Sequence, residues 1–157
     1  MQNAMAKGLM AFLDPEAIEL QSEAATDEEI IRILAGKLER LGRVTPGYVD
    51  AVLQRERTLP TGLPLGGEEN AAIPHTDPEH VLKAGVALAT MKAPVIFGNM
   101  EDPEEKLPVR FVFLLAIDDK KQQIETLRRI MATIQDAEAL EGLRQARVPG
   151  DVAAVLE

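Results

Sequence analysis

The only two histidines of this 157-residue chain, His75 and His80, fall in one loop-rich stretch, residues 59–80, LPTGLPLGGEENAAIPHTDPEH. Histidine exchanges its proton near neutral pH, and its neutral ring nitrogen is a nucleophile. Pro60, Gly62, Pro64, Gly66 and Gly67 prevent a continuous helix or strand through the first half of the stretch. Ala71, Ala72 and Ile73 then form a short apolar strand stopped by Pro74, which sets His75 at the end of a sheet. From spacing alone, a histidine that merely bonds within a turn is the plain alternative. A metal pair with His80, helped by Asp77 and Glu79, is a second one. Its spacing is not that of a helical zinc site, and a third ligand is lacking. Just upstream, Arg55 and Arg57 close a helix, and Thr61 and Gly62 lie in the loop. Guanidinium groups and backbone N–H donors suit a tetrahedral oxyanion such as a phosphoryl group. Arginines at a helix C-terminus also complement the helix dipole without any ligand.

Other chemistries find little support. The single serine, Ser22, sits in an acidic stretch without the flanking glycines of a nucleophile elbow. GLPLGG lacks the GK[ST] ending of a phosphate-binding loop, and acidic residues abound without any two standing out as a hydrolytic pair. With 26 acidic against 17 basic residues the formal net charge is −9, which argues against a nucleic-acid partner. Tryptophan is absent and tyrosine occurs once, so base-stacking platforms are not expected. Zero cysteines preclude a disulfide framework and agree with a cytoplasmic setting. Apolar runs stay well below 18 residues, and the N-terminus lacks a signal-peptide core, so membrane insertion is not expected.

The elements that must position the loop follow from periodicity. Residues 8–13 suit a first short strand, and residues 16–25 read as coil or a helical turn. Thr26 with Glu29 forms a capping-box pattern before a helix whose stripe is Ile30, Ile33, Leu34, Leu38 and Leu41. Thr45 and Pro46 open a second helix with Tyr48, Val49, Val52 and Leu53 facing the core, ending near Arg57. A strand from about Gly85 to Met91 meets Pro94, and residues 95–97 make another short one. Residues 109–117, VRFVFLLAI, read as a central strand buried on both faces. Asp118 or Asp119 then caps a helix with Ile124, Leu127, Ile130, Met131 and Ile134 as its stripe. Asp136 starts a short helix, and Pro149–Gly150 precedes a final helical turn. The expected architecture is α/β (α+β): a single domain, residues 1–157, with a mixed sheet of about five strands flanked by helices on both faces.

At these residues the chain resembles a known family. RERTLPTG followed by AAIPH, with a further histidine five residues on, is similar to the active-site segment of the fructose/mannitol-type enzyme IIA proteins. These are cytoplasmic phosphocarriers of the bacterial sugar phosphotransferase system, and the PTG loop and IPHxxxxH pattern look most like the galactitol-specific branch. The resemblance spans residues 8–149. It implies that His75 is the phosphoacceptor, that Arg55 of the Arg55–Glu56 pair steadies the phosphoryl group, and that Thr61 lies near its oxygens. His80 would be a neighbour of the site. The phosphoryl donor would be HPr, the acceptor a cysteine of enzyme IIB, and the sugar a galactitol-like alcohol carried by the membrane component IIC. No metal or small cofactor is implied. One departure is clear: mannitol-type members carry another histidine after the long buried strand, where this chain has DDKKQQIETL with Gln123.

Two competing readings follow from the same residues. A IIA-like domain can signal through histidine phosphorylation in a regulatory system instead of feeding transport. Without the resemblance, a histidine-dependent hydrolase or metal-binding module in an ordinary α/β domain would account for the loop.

Overall fold

The computed structural model describes residues 9–67 and 69–156. Five strands form one mixed sheet: β1 (Leu13–Ser22), β2 (Gly62–Leu63), β3 (Asn70–Ala72), β4 (Gly85–Gly98) and β5 (Lys106–Ala116), in the spatial order β1-β4-β5-β3-β2. β1 runs parallel to β4 and β3 parallel to β5, whereas β4–β5 and β2–β3 are antiparallel. Five helices cover it: α1 (Asp27–Arg40), α2 (Tyr48–Thr58), α3 (Lys120–Ile134), α4 (Ala137–Gln145) and α5 (Pro149–Leu156). The mixed sheet with helices on both faces is the expected architecture.

β5 is central, and its alternation builds both layers. Val112, Leu114 and Ala116 pack with Ile30, Leu34 and Leu38 of α1 and with Tyr48 and Val52 of α2. Phe111, Phe113, Leu115 and Ile117 point to the other face, against Ile130, Ile134, Leu143, Val152 and Leu156 of α3, α4 and α5. The Tyr48 hydroxyl, fully buried, donates to the Leu115 carbonyl and so ties α2 to β5. Burial raises the Tyr48 pKa far above its ordinary value, so it remains a donor.

The capping expectations hold locally. The Thr26 hydroxyl accepts from Glu29 N at 3.1 Å, and the Glu29 carboxylate accepts from Ala25 N at 2.5 Å. Asp119 caps α3 and Asp136 caps α4 through their side chains. α5 begins at Pro149 itself, since a first helical position has no use for the missing N–H. α2 begins later than Thr45, with Gly47 as its N-cap. On α3, Ile124 is exposed instead of joining the stripe, and Thr126 and Thr133 occupy buried positions beside Ile130 and Ile134.

Three strand expectations need correction. Gly8 lies outside the described residues, and Leu9–Ala11 form a 3₁₀ turn in place of a first strand. The strand is instead β1, in the stretch read as coil or helical turn. Pairing with β4 and burial of Ala17, Ile18 and Ser22 override its weak local preference. Pro15 is accommodated because β1 is an edge strand whose register slips between Leu13 and Ile18. The two strands expected on either side of Pro94 are one strand, β4. Its pairing with β5 lapses between Thr90 and Val95, so the proline deprives no ladder bond of a donor. Among the described residues, no helix is long and apolar enough to cross a membrane.

Candidate active site

β3 is three residues long, and Ile73–Pro74 carry the chain past the end of the sheet to His75. Two backbone bonds hold this exit: Ile73 N donates to Thr61 O at 3.3 Å, and Leu115 N donates to Pro74 O at 3.0 Å. The His75 ring then turns back so that Nδ1 lies 2.9 Å from the Ile73 carbonyl oxygen. A carbonyl only accepts, so Nδ1 carries the proton and Nε2 keeps its lone pair. Burial lowers the His75 pKa from its ordinary value; the bond to Ile73 opposes this, and the Arg55 charge lowers it further. His75 is therefore a neutral imidazole at neutral pH, with one nitrogen tethered and the other nucleophilic.

Arg55 and Arg57 belong to the last turn of α2, and the helix separates them. Arg55 faces the histidine loop: its Nη1 is 3.7 Å from Asp77 Oδ1, and its charge reaches His75. Its Nε is shut off from solvent without a hydrogen-bond acceptor among the described residues. Arg57 turns instead toward the start of α1 and lines a small cleft with Asp27, Glu28, Ile31, Leu53 and Glu56. Asp77 was not singled out from the sequence as an arginine partner; a lone aspartate two residues from His75 carries no signal of that pairing.

Between the two arginines, Glu56 is inside the protein, 7% exposed. Its carboxylate accepts twice from one residue: Thr61 N donates to Oε2 at 2.8 Å and Thr61 Oγ1 to Oε1 at 2.9 Å. Burial raises the Glu56 pKa from 4.5 to about 7, against the lowering effect of the two Thr61 bonds, while the Asp27 charge raises it and Arg55 lowers it. Thr61 is itself 2% exposed, so both its donors are committed to Glu56 and its carbonyl to Ile73. The next residue, Gly62, passes so close to β4 that a Cβ there would meet the Gly98 carbonyl oxygen and Leu107. The PTG sequence thus serves a tight crossing between α2 and the sheet.

The chain that sets this half-buried, neutral histidine beside an inward arginine at the end of a mixed sheet matches a family model over residues 11–157: phosphoenolpyruvate-dependent sugar phosphotransferase system, EIIA 2. The chain belongs to this family. As an EIIA domain it is a phosphotransferase component. The mannitol-specific EIICBA component of Vibrio cholerae is 30% identical over 147 residues, covering 92% of this chain and 21% of that protein. The chain therefore spans about a fifth of that relative's length. The ascorbate-specific EIIA component of Escherichia coli is 30% identical over 145 residues, 90% of each chain. Among solved structures, IIA mannitol from Escherichia coli superposes with a TM-score of 0.74 at 30% identity, over 92% of this chain and 98% of that one. The complex of enzyme IIA mannitol with phosphorylated enzyme IIB mannitol from the same organism gives 0.72 at 30% identity, over 90% of this chain and 94% of that one. Similar proteins include mannitol-, ascorbate- and 2-O-alpha-mannosyl-D-glycerate-specific components, so the family is shown and a galactitol branch is not.

His80 stands apart from the tether that holds His75. It sits in a 3₁₀ turn (Pro78–His80), with its ring against Gly47 and its Nδ1 3.4 Å from Thr45 Oγ1, at the N-terminal end of α2. Arg55 lies at the other end of that helix, two turns away. The backbone N–H of Thr45 donates to His80 O at 2.9 Å, and His80 Nε2 is 3.5 Å from Glu79. No group of three His, Cys, Asp or Glu side chains that could hold a metal occurs among the described residues. Gln123 is in the first turn of α3, half-buried, its N–H bonded to Asp119 O. Glu56 is the residue that the sequence reading of the EIIA site passed over. A signal existed: Tyr48, Val52 and Glu56 follow at four-residue steps, which places the acid on the buried stripe of α2.

Proposed function

We propose that this EIIA domain accepts a phosphoryl group on Nε2 of His75 from phospho-HPr and passes it to a cysteine of an enzyme IIB. The observation that carries the proposal is the 2.9 Å bond from Nδ1 to the Ile73 carbonyl, which fixes the tautomer and leaves Nε2 as the nucleophile. Nε2 attacks the phosphorus in line, the donor's N–P bond breaks, and its electron pair stays on the donor imidazole. In the second step the IIB thiolate attacks, the His75 N–P bond breaks, and Nε2 recovers its lone pair. Protein groups take little part in bond making here, so positioning and charge stabilisation dominate.

Arg55 is the group suited to the transferring oxygens, because its guanidinium faces the His75 loop with an unbonded Nε–H. The same charge favours the neutral ring before transfer and a phosphorylated, anionic one after it. Thr61 acts from behind: a phosphoryl contact through its hydroxyl would require Glu56 to release it. His80 contributes through the position of the loop end at Thr45. Residues 1–157 are read as one phosphocarrier unit, cytoplasmic, working with HPr, IIB and a membrane IIC, and without metal or small cofactor. The sugar is read as a galactitol-like alcohol on the strength of the PTG loop and the spacing of His75 and His80.

Intact-mass spectrometry after incubation with phosphoenolpyruvate, enzyme I and HPr tests the reading. One acid-labile phosphoryl group is expected on the wild type and none on His75→Ala. An unmodified wild type, or a phosphorylated His75→Ala, would overturn it. Transfer onward to IIB proteins of galactitol, mannitol and ascorbate systems, compared side by side, tests the sugar.

A further inference from the structure

A continuous line of hydrogen bonds runs from the interior to the reactive ring. The Glu56 carboxylate takes the N–H and O–H of Thr61; the Thr61 carbonyl takes Ile73 N–H; the Ile73 carbonyl takes His75 Nδ1–H. The first two links join different parts of the fold, α2 to the crossing loop and the crossing loop to the exit from β3, and the last lies within that exit. Removing the first link leaves the later ones to the backbone of a short strand. From this geometry we propose that Glu56 is a positioning residue for phosphoryl transfer, its ionised carboxylate holding Thr61, and through Thr61 and Ile73 the tautomer and placement of His75. The inference rests on the phosphocarrier reading for its consequence in transfer, and on the hydrogen bonds alone for its consequence at the ring.

Only the ionised acid offers two acceptor oxygens to the two Thr61 donors. A protonated Glu56 keeps one acceptor and turns an O–H toward Thr61 Oγ1, which frees the threonine proton and exchanges two charge-assisted bonds for weaker neutral ones. The groups around Glu56 are Asp27 and Glu28 from the start of α1, Arg55 and Arg57 from its own helix, and Thr61 from the loop. Burial places its titration near neutrality, at about 7, whereas the His75 pKa lies below its ordinary value. The two shifts run in opposite directions, and Glu56→Gln removes the contribution of Glu56 while leaving that of His75.

The test compares wild type with Glu56→Gln, which keeps the size and one acceptor and cannot ionise. Two readouts are taken across neutral pH. The first is the rate of His75 phosphorylation from phospho-HPr. We expect the wild-type rate to rise through about pH 7, and Glu56→Gln to be slower by about ten- to a hundredfold above it, with no such limb. The second is ¹⁵N NMR of the His75 ring with the Thr61 and Ile73 amides, which needs no partner protein. In the wild type these signals shift together near pH 7, and in Glu56→Gln they do not. A shift that persists in Glu56→Gln, or its absence from the wild type, would overturn the positioning role. A wild type that takes no phosphoryl group while the coupled NMR shift is present would overturn the phosphocarrier reading and leave the hydrogen-bond relay standing.

Discussion

Replacing Glu56 by glutamine should make the protein more stable at neutral and alkaline pH. The carboxyl titrates at 4.5 ordinarily and at about 7 in the fold, with burial as the largest cause. Between those values the folded protein holds a proton that the unfolded chain has released, so stability falls as pH rises from about 4.5 to about 7 and is flat above. The full change corresponds to about 3 kcal/mol, since each pKa unit is worth about 1.4 kcal/mol. Glutamine follows the protonated acid: its carbonyl accepts from Thr61 N and its amide donates to Thr61 Oγ1. It does not titrate, so the stability difference, Glu56→Gln minus wild type, should grow by about 3 kcal/mol from below pH 4.5 to above pH 7. Urea unfolding of both proteins at a series of pH values measures this difference, with equal denaturant slopes confirming that the same surface is exposed. Groups common to both proteins cancel. A difference that stays constant with pH, or that falls as pH rises, would refute the argument. A gain in stability joined to a loss in transfer rate is what a strained functional carboxylate implies.

Further expectations concern the neighbours. Arg55→Ala should slow phosphorylation of His75 by about a hundredfold and Arg57→Ala by about twofold or less, measured as single-turnover transfer from phospho-HPr; the reverse order would put the wrong arginine at the phosphoryl group. His80→Ala should slow transfer by about tenfold or less, because the ring packs at Thr45 and Gly47 and not on the relay; complete loss would place it in the chemistry. Gly62→Ala should lower stability by roughly 2 kcal/mol, read as a fall in melting temperature, because its Cβ would press on the Gly98 carbonyl and Leu107. An unchanged melting temperature would mean that the crossing yields to a methyl group and would refute this reasoning.

Much of the site was legible in residue types and spacing. His75 stood out as one of two histidines, placed after an apolar run that a proline stops, and β3 does end just before it. The helices were legible where Thr26, Asp119 and Asp136 announce their first turns, because a cap is a bond between residues two or three apart. The central strand was legible because both of its faces are apolar. β1 was not, since LDPEAIELQS has no strong local preference and becomes a strand only through its register with β4. Pro94 misled for the converse reason: it marks a break in pairing that the strand survives.

The sequence by itself determined which groups were available for chemistry: one histidine at a strand end, two arginines closing a helix, an acid between them and a turn-forming loop. It also determined where α1, α3 and α4 begin and which strand is central, because those depend on bonds and burial periodicities within a few residues. Only the tertiary structure decided which arginine faces His75, that His80 packs at the far end of α2, and that Ile73 supplies the acceptor for Nδ1. It alone turned Glu56 from one of 26 acidic residues into a buried carboxylate bound to Thr61. These outcomes rest on contacts between segments that chain order does not specify: a rotation of one residue on a helix, or a slip of one residue in a sheet, would send each side chain elsewhere.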